Sequence, residues 1–218
     1  MNTKRKYCLI WAFVACAASI FSITDHVGYF GGDKAPSTLF FTSWSTWICT
    51  AVAYISLATW RKDEYSFGMK FFKFSADIMA TATFIVSAFV LPGKIWMYSY
   101  WTNIGGIFKH FLLPLLTIGF ELFVDRKNKY KIIFSLYGII IPVIYWTSVI
   151  CRFVSARKNF GGRIPESLWF RYYPYGFTNI DSGHSLKGLV ILLCVIGAGL
   201  ILFGLLFVFA DKRSKENR

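Results

Sequence analysis

The chain has 218 residues, of which 56% are hydrophobic, 20% aromatic and only 16% charged, whereas about 25% of residues are charged in ordinary globular proteins. A soluble protein of this length could not cover so much apolar surface, and the aromatic content excludes a disordered chain. Five cysteines in this length do not form a disulfide scaffold. The composition therefore indicates an integral membrane protein.

The charge balance has two interpretations. A formal net charge of +13 in a soluble domain would suggest nucleic-acid binding. Here the 24 Lys and Arg residues lie mostly in short runs between apolar stretches, which is typical of basic loops on the cytoplasmic side of a membrane. We therefore expect this chain to be surrounded by membrane lipid and to bind no nucleic acid.

Six apolar stretches approach the length of about 20 residues that a transmembrane helix requires. None of them has the period-two alternation of a barrel strand. The sequence therefore predicts an all-α polytopic bundle of six transmembrane helices, which form a single domain over residues 1–218. The predicted helices are 7–24, 38–60, 71–91, 104–124, 132–154 and 186–210.

The basic residues predict that both termini lie in the cytoplasm. With that orientation, the basic runs within 4–6, 61–73, 126–131 and 212–218 all fall on the inner side. The outer connection 155–185 is an exception, because it carries several basic residues, with aromatic residues among them. A segment of this composition is expected to lie on the membrane surface or to fold back over the bundle.

The N-terminus has a second interpretation. The first residues resemble a signal peptide with an imperfect lipobox, because basic residues are followed by a short apolar run that ends at Cys16. Cleavage of such a peptide would remove residues 1–15. The apolar stretch continues past Cys16 to Ile23. We therefore expect an uncleaved first helix.

Metal and cofactor chemistry has no support in the sequence. The chain has three histidines and neither an HExxH nor a CxxC motif, so neither a zinc site nor a redox pair is indicated. We expect no cofactor and no metal.

Two polar residues inside the predicted helices are the first candidates for chemistry, since such residues are costly in lipid. His110 lies about 9 Å, and Thr42 about 6 Å, below the outer end of its helix. A hydroxyl and an imidazole at similar depth can form a nucleophile–base pair. Alternatively, His110 is a packing residue, and Thr42 bonds to a backbone carbonyl of its own helix.

The acidic residues Asp77 and Glu121 fall near inner helix ends. We expect them to pair with Lys73, Arg126 or Lys127, although they could instead exchange protons. The segment Asp181–Ser185 resembles a hydrolytic cluster only superficially, and its sequence favours a loop that caps the sixth helix.

Three short motifs, in this order, carry a resemblance to a known family. They are Phe40–Ser45 at the start of helix two, His110–Pro114 in helix four, and Tyr173–Phe177 in the last outer loop. The chain resembles the androgen-induced (FAR-17a-like) membrane protein family and its bacterial relatives. It departs from that pattern at Thr46, where bacterial relatives tend to have Asn.

The resemblance implies a function. Vertebrate members of this family are six-span hydrolases that cleave fatty-acid esters of hydroxy fatty acids with a threonine nucleophile and a histidine, and the matching positions here are Thr42 and His110. The resemblance thus predicts a hydrolase of lipid or fatty-acid esters in a bacterial plasma membrane, with lipid as substrate. Ser45, on the same helix face as Thr42, is the predicted oxyanion donor, and Tyr173 and Tyr175 are predicted to close the site.

Two other functions are compatible with the sequence. The first is a small transporter or channel that uses Asp77, His110 and Glu121 as a proton or cation path. The second is a non-catalytic scaffold that binds partners through its aromatic outer loop.

Overall fold

A computed structural model describes residues 3–24, 40–62, 64–90, 104–125, 130–175, 178–183 and 185–216. Within these ranges all regular structure is helical and there is no strand. The predicted all-α fold class is therefore confirmed for the described part of the chain.

The described residues form six long helices, which follow one another in sequence. They are α1 (Thr3–Thr24), α2 (Phe41–Ala58), α3 (Phe67–Ile85), α4 (Ile104–Val124), α5 (Phe134–Asn159) and α6 (Leu186–Glu216). A π-helical turn, Val86–Val90, continues α3. Helix α3 begins before the predicted residue 71 because Ser66 caps it, and the Ser66 hydroxyl accepts a hydrogen bond from the Met69 N–H at 3.3 Å.

Five of the described helices are long and apolar enough to cross a membrane, namely α1, α3, α4, α5 and α6. The predicted multi-pass membrane character is thereby confirmed. Helix α2 has 18 residues, and Ser and Thr recur along it, which lowers its hydropathy. It packs between α1 and α3.

The helices define two ends of the molecule. At one end Lys4, at the start of α1, lies 2.9 Å from Asp125, just after α4; Lys73 of α3 is also there, and we call this the Lys73 end. At the other end the Ser22 hydroxyl, near the end of α1, donates to the Ser43 hydroxyl, near the start of α2, at 3.0 Å. His110 lies at this second end, which we call the His110 end.

Helices α1 to α4 pack into a four-helix group, and α5 and α6 pack against α3. Helix α1 is integral to this core, since Cys8, Trp11 and Ala15 are almost fully buried. The Trp11 indole N–H donates to the Thr117 hydroxyl of α4 at 3.1 Å, which satisfies two polar groups in the apolar interior.

The segment between α5 and α6 folds back onto the bundle. Ile164 and Tyr173 are buried against α5 and neighbouring core residues. The Ser185 hydroxyl accepts the Gly188 N–H at 3.0 Å and so caps α6, as the sequence suggested. The aromatic residues of this segment are thus part of the packed structure rather than of a solvated linker.

Candidate functional site

His110 lies in an irregular turn of α4 whose cause is visible in the sequence. Pro114 follows four residues later, and a proline has no N–H with which to bond the His110 carbonyl. The helix widens accordingly into a π-helical turn over Phe108–Leu112, in which the Leu113 N–H donates to the Phe108 carbonyl. Such turns are rare and recur at functional sites.

A serine that the sequence did not single out is the partner of this histidine. Ser87 Oγ and His110 Nδ1 share a hydrogen bond of 2.6 Å. Ser87 is buried and lies in the π-helical turn that continues α3. Both residues of the pair therefore lie where their helices depart from regular α geometry.

Thr42 lies at the same end of the molecule as His110. The last turns of α1 contact the neighbours of both residues: Ser22 bonds Ser43, and the Phe21 ring lies 5.6 Å from the Phe108 ring. The turn that carries His110 also packs against α2. Residues next to Thr42 and near His110 thus contact the same turn of α1.

Thr42 and His110 are nevertheless not hydrogen-bonded to each other in the part of the chain that the structure describes. Thr42 is half-buried, and residues 25–39 and 91–103 lie outside the described residues. In the structure Ser87 and His110 are in direct contact. Thr42 lies at the same end of the bundle as these two residues.

The two hydroxyl residues after Thr42 have different surroundings. Ser45, the predicted oxyanion donor, interacts with the Cys49 thiol one turn further along α2. Thr46 Oγ1 is buried and has no hydrogen-bond partner among the described residues. A buried hydroxyl without a partner is unusual and requires an explanation. Thr46 is four residues from Thr42 and therefore on the same helix face.

The two predicted tyrosines occupy different places. The Tyr175 hydroxyl accepts the Phe41 N–H at 3.2 Å, directly before Thr42. The Tyr175 hydroxyl thereby caps the start of α2, because the side chain of Phe40 at the N-cap position accepts no hydrogen bond. Tyr173 instead donates its hydroxyl to Asp181 Oδ2 at 2.7 Å, within the folded-back segment. Of the two, Tyr175 is the one that contacts α2.

Asp181 holds the folded-back segment together. Its Oδ2 also accepts the Ile164 N–H at 3.0 Å, and Arg157 lies 3.5 Å from its Oδ1. Burial first, and then the hydrogen bond to Asp181, raise the pKa of Tyr173. His184, which belongs to the stretch resembling a hydrolytic cluster, lies outside the described residues.

The acidic residues of the predicted inner ends meet at the Lys73 end. The Lys73 ammonium group forms an ion pair with Asp125 and lies 3.8 Å from Glu121, in agreement with the predicted pairing of Glu121. The same prediction fails for Asp77 Oδ2, which has no hydrogen-bond partner among the described residues. Burial alone would raise the pKa of Asp125, but the charges of Lys73 and Lys4 outweigh it and hold that pKa below its usual range. The other predicted partners, Arg126 and Lys127, lie outside the described residues.

Tyr65 covers this group of charges. Its ring lies 4.4 Å from the Lys73 ammonium nitrogen, measured to the ring centroid, which is a cation–π distance. Burial first, and then the negative charge of Asp125, raise the pKa of Tyr65. No group of three or more His, Cys, Asp or Glu residues suited to a metal ion occurs within the described ranges.

Sequence reasoning missed Ser87, the ion pair of Lys4 with Asp125 and the orphan hydroxyl of Thr46. Pro114 was a usable signal for the irregular turn at His110, because a proline in a helix disturbs the residue four positions before it. No such signal marks Ser87, since serine is common in membrane helices and its partner lies 23 residues away.

Compared with models of known protein families, with curated proteins and with solved structures, the chain matches none. The fold and its apolar helices define the class of this protein, which is a helical multi-pass membrane protein.

Proposed function

We propose that this protein is a six-span intramembrane hydrolase of lipid or fatty-acid esters, related to the androgen-induced (FAR-17a-like) family and located in a bacterial plasma membrane. The hydrogen bond between Ser87 and His110 carries the proposal. It fixes an imidazole ring inside the bundle, at the end where Thr42 begins the most hydroxyl-rich helix. Orientation of a base by a third residue is the arrangement that nucleophilic catalysis requires.

We assign each of the three residues a role that is compatible with this geometry. When His110 Nδ1–H donates to Ser87 Oγ, the other ring nitrogen, Nε2, retains its lone pair and can act as base. Thr42 Oγ1 attacks the ester carbonyl while Nε2 takes its proton. The protonated imidazole then donates this proton to the departing alcohol, which leaves the acyl group on Thr42.

Hydrolysis of the acyl group completes the cycle. A water molecule attacks the acyl carbonyl and gives its proton to Nε2 of His110. The C–O bond to Thr42 breaks, the fatty acid leaves, and the proton returns to Thr42 Oγ1. The enzyme thereby regains its starting protonation state without any cofactor.

The oxyanion formed during attack needs hydrogen-bond donors. Two groups on α2 suit this task better than the Ser45 hydroxyl, which interacts with Cys49. The Thr46 hydroxyl is buried and lacks a partner among the described residues, and the Thr42 N–H lies in the first turn of α2, where helical N–H groups have no intrahelical acceptor. We assign both as donors.

The proposed topology rests on α2 as the sixth span. At 18 residues it is about 27 Å long, close to the thickness of the hydrocarbon core, about 30 Å. It runs beside α1 from the His110 end to the Lys73 end, where Arg5 of α1 lies 5.9 Å from the Trp60 ring centroid. The basic residues of the Lys73 end support its placement in the cytoplasm.

A fluorophosphonate probe tests the proposed nucleophile. We expect the purified protein to be labelled, and labelling to disappear in Thr42→Ala and in His110→Ala. Thr59→Ala is the matched control, because this threonine lies at the opposite end of α2 and bonds the Ile55 carbonyl of its own helix. Labelling unaffected by Thr42→Ala would refute Thr42 as nucleophile, and an adduct mapped to Ser87 would assign that role to Ser87 instead.

Transport is the alternative function, and the same variants distinguish it. Its proposed residues lie at both ends of the bundle, with His110 at one end and Glu121 at the other. If Thr42→Ala and His110→Ala leave ester turnover unchanged while Asp77→Asn abolishes pH-dependent solute flux in liposomes, the protein is a transporter.

A further inference from the structure

The Lys73 end contains more buried charge than the proposed hydrolysis uses. Helices α1, α3 and α4 bring together two lysines and three carboxyl groups in a region of low exposure: Lys4, Lys73, Asp77, Glu121 and Asp125. Charges are costly in such surroundings unless each one is compensated. The balance of positive and negative charges in this cluster therefore determines whether all five groups can be ionised.

The two lysines compensate two of the carboxyl groups. Asp125 receives both of them, with Lys4 on Oδ1 at 2.9 Å and Lys73 on Oδ2. Lys73 also lies 3.8 Å from Glu121. Two positive charges thus face Asp125 and Glu121, and together these four residues are electrically neutral when all are ionised.

Asp77 is the third carboxyl group, and its surroundings differ. It is 3% exposed, and its Oδ2 accepts no hydrogen bond from any residue that the structure describes. The nearest hydroxyl on its own helix, that of Thr81, donates to the Asp77 backbone carbonyl instead. An ionised Asp77 would therefore be a buried negative charge without a countercharge of its own.

The groups around Asp77 come from four helices. Lys73 lies one turn away on α3 and acts on Asp77 with positive charge, whereas Glu121 of α4 and Asp125, just after α4, act on it with negative charge. Cys49 of α2 is close enough to interact electrostatically, and Lys4 of α1 reaches the cluster through Asp125. The two carboxylates repel a further negative charge at Asp77.

We propose that Asp77 is a proton-binding site in the membrane interior, whose carboxyl group holds one proton at neutral pH. The bound proton makes the five-residue cluster neutral. Lys4, whose side chain is 14% exposed, lies at the end of the cluster nearest water, so protons exchange with solution on the Lys73 side. This site is independent of ester hydrolysis, which takes place at the His110 end.

Infrared spectroscopy of the full chain in lipid nanodiscs tests this proposal. At neutral pH we expect a C=O stretching band of a protonated carboxyl group in the wild type. The band disappears in Asp77→Asn and persists in Glu64→Gln, a matched control at the same end whose carboxyl group is exposed. Labelling aspartate carboxyl carbons with ¹³C shifts the band in the wild type, so the assignment does not depend on a variant that folds.

Three outcomes would overturn the proposal. The first is the absence of a protonated-carboxyl band from the wild type at neutral pH. The second is a band that survives in Asp77→Asn or does not shift on aspartate labelling, because the proton would then belong to another group such as Glu121. The third is a band that vanishes when sodium chloride replaces choline chloride at the same ionic strength, because the site would then bind sodium.

Discussion

Ser87 Oγ lies 2.6 Å from Nδ1 of His110 and joins α3 to α4 where both helices widen into π-helical turns. The imidazole ring is thereby held by a residue that is not adjacent in sequence.

The first prediction concerns Ser87 as a positioning residue. Ser87→Ala removes the hydroxyl that orients His110, so we expect kcat for ester hydrolysis to fall about 10- to 100-fold, within the contribution of general base catalysis. KM changes little, and Ser87→Thr restores most of the activity. Ser148→Ala is the control, because this hydroxyl bonds only a carbonyl of its own helix. Wild-type kcat in Ser87→Ala would contradict the assigned role.

The second prediction separates activity from stability at Thr46. Thr46→Val keeps the shape of the side chain but removes a buried hydroxyl that lacks a partner among the described residues. We expect thermal stability to be unchanged or raised, because an unsatisfied buried hydroxyl costs about 1–3 kcal/mol. We expect kcat to fall about 10²-fold as an oxyanion donor is lost. A Thr46→Val enzyme with full kcat would refute the donor role.

The third prediction concerns the ion pairs of Asp125. Asp125→Asn leaves Lys73 buried with a weakened partner, and breaking a buried pair costs about 3–5 kcal/mol. Because the pKa of Asp125 is lowered in the folded protein, its contribution is present above its unfolded value, about 3.9, and is lost as the pH falls through the lower folded value. Thermal unfolding followed against pH should show this acid-side loss in the wild type but not in Asp125→Asn. If Asp125→Asn is as stable as the wild type at neutral pH, the predicted contribution of these ion pairs is contradicted.

The fourth prediction concerns the folded-back segment. The pKa of Tyr173 is raised by burial and by Asp181, so its stabilising contribution is present below the unfolded value, about 10, and decreases as the pH rises above it. We expect proteolysis between α5 and α6 to accelerate at alkaline pH in the wild type. Tyr173→Phe cannot ionise at this position and should not show this acceleration. At neutral pH we expect the substitution to lower the free energy of unfolding by about 1 kcal/mol, because one hydrogen bond is lost. Tyr172→Phe serves as control and should behave like the wild type.

The fifth prediction concerns the contact between α5 and α6. A Cβ on Gly204 would lie 3.0 Å from the Ser135 Cα, which is backbone and cannot move aside. We expect Gly204→Val to destabilise the protein by about 1–3 kcal/mol, as overpacking does, and to lower its melting temperature. Gly197 lies on the same helix, and a Cβ there would have no atom within 4 Å, so Gly197→Val should have little effect. Equal effects of the two changes would mean that α6 does not pack this closely on α5.

Several features of the protein were predictable from the sequence because they depend on local composition. Apolar segments in lipid must satisfy their backbone groups internally, so their length and hydropathy were sufficient to predict an all-α membrane protein. Pro114 likewise marks the turn that contains His110, since a proline disturbs a helix wherever the helix packs. The bounds of the helices differed mainly where capping or interfacial residues extend them, as Ser66 does for α3.

The partners of the polar residues were decided only by the tertiary structure. Hydrogen bonds and ion pairs in the bundle join residues far apart in sequence, such as Ser87 with His110 and Lys4 with Asp125. The periodicity of one helix does not specify the rotation that the helix adopts against its neighbours. That rotation buries Asp77 Oδ2 and Thr46 Oγ1, neither of which has a hydrogen-bond partner in the described part of the chain. Composition by itself determined that the chain enters a membrane, and helix packing decided which of its few polar groups meet there.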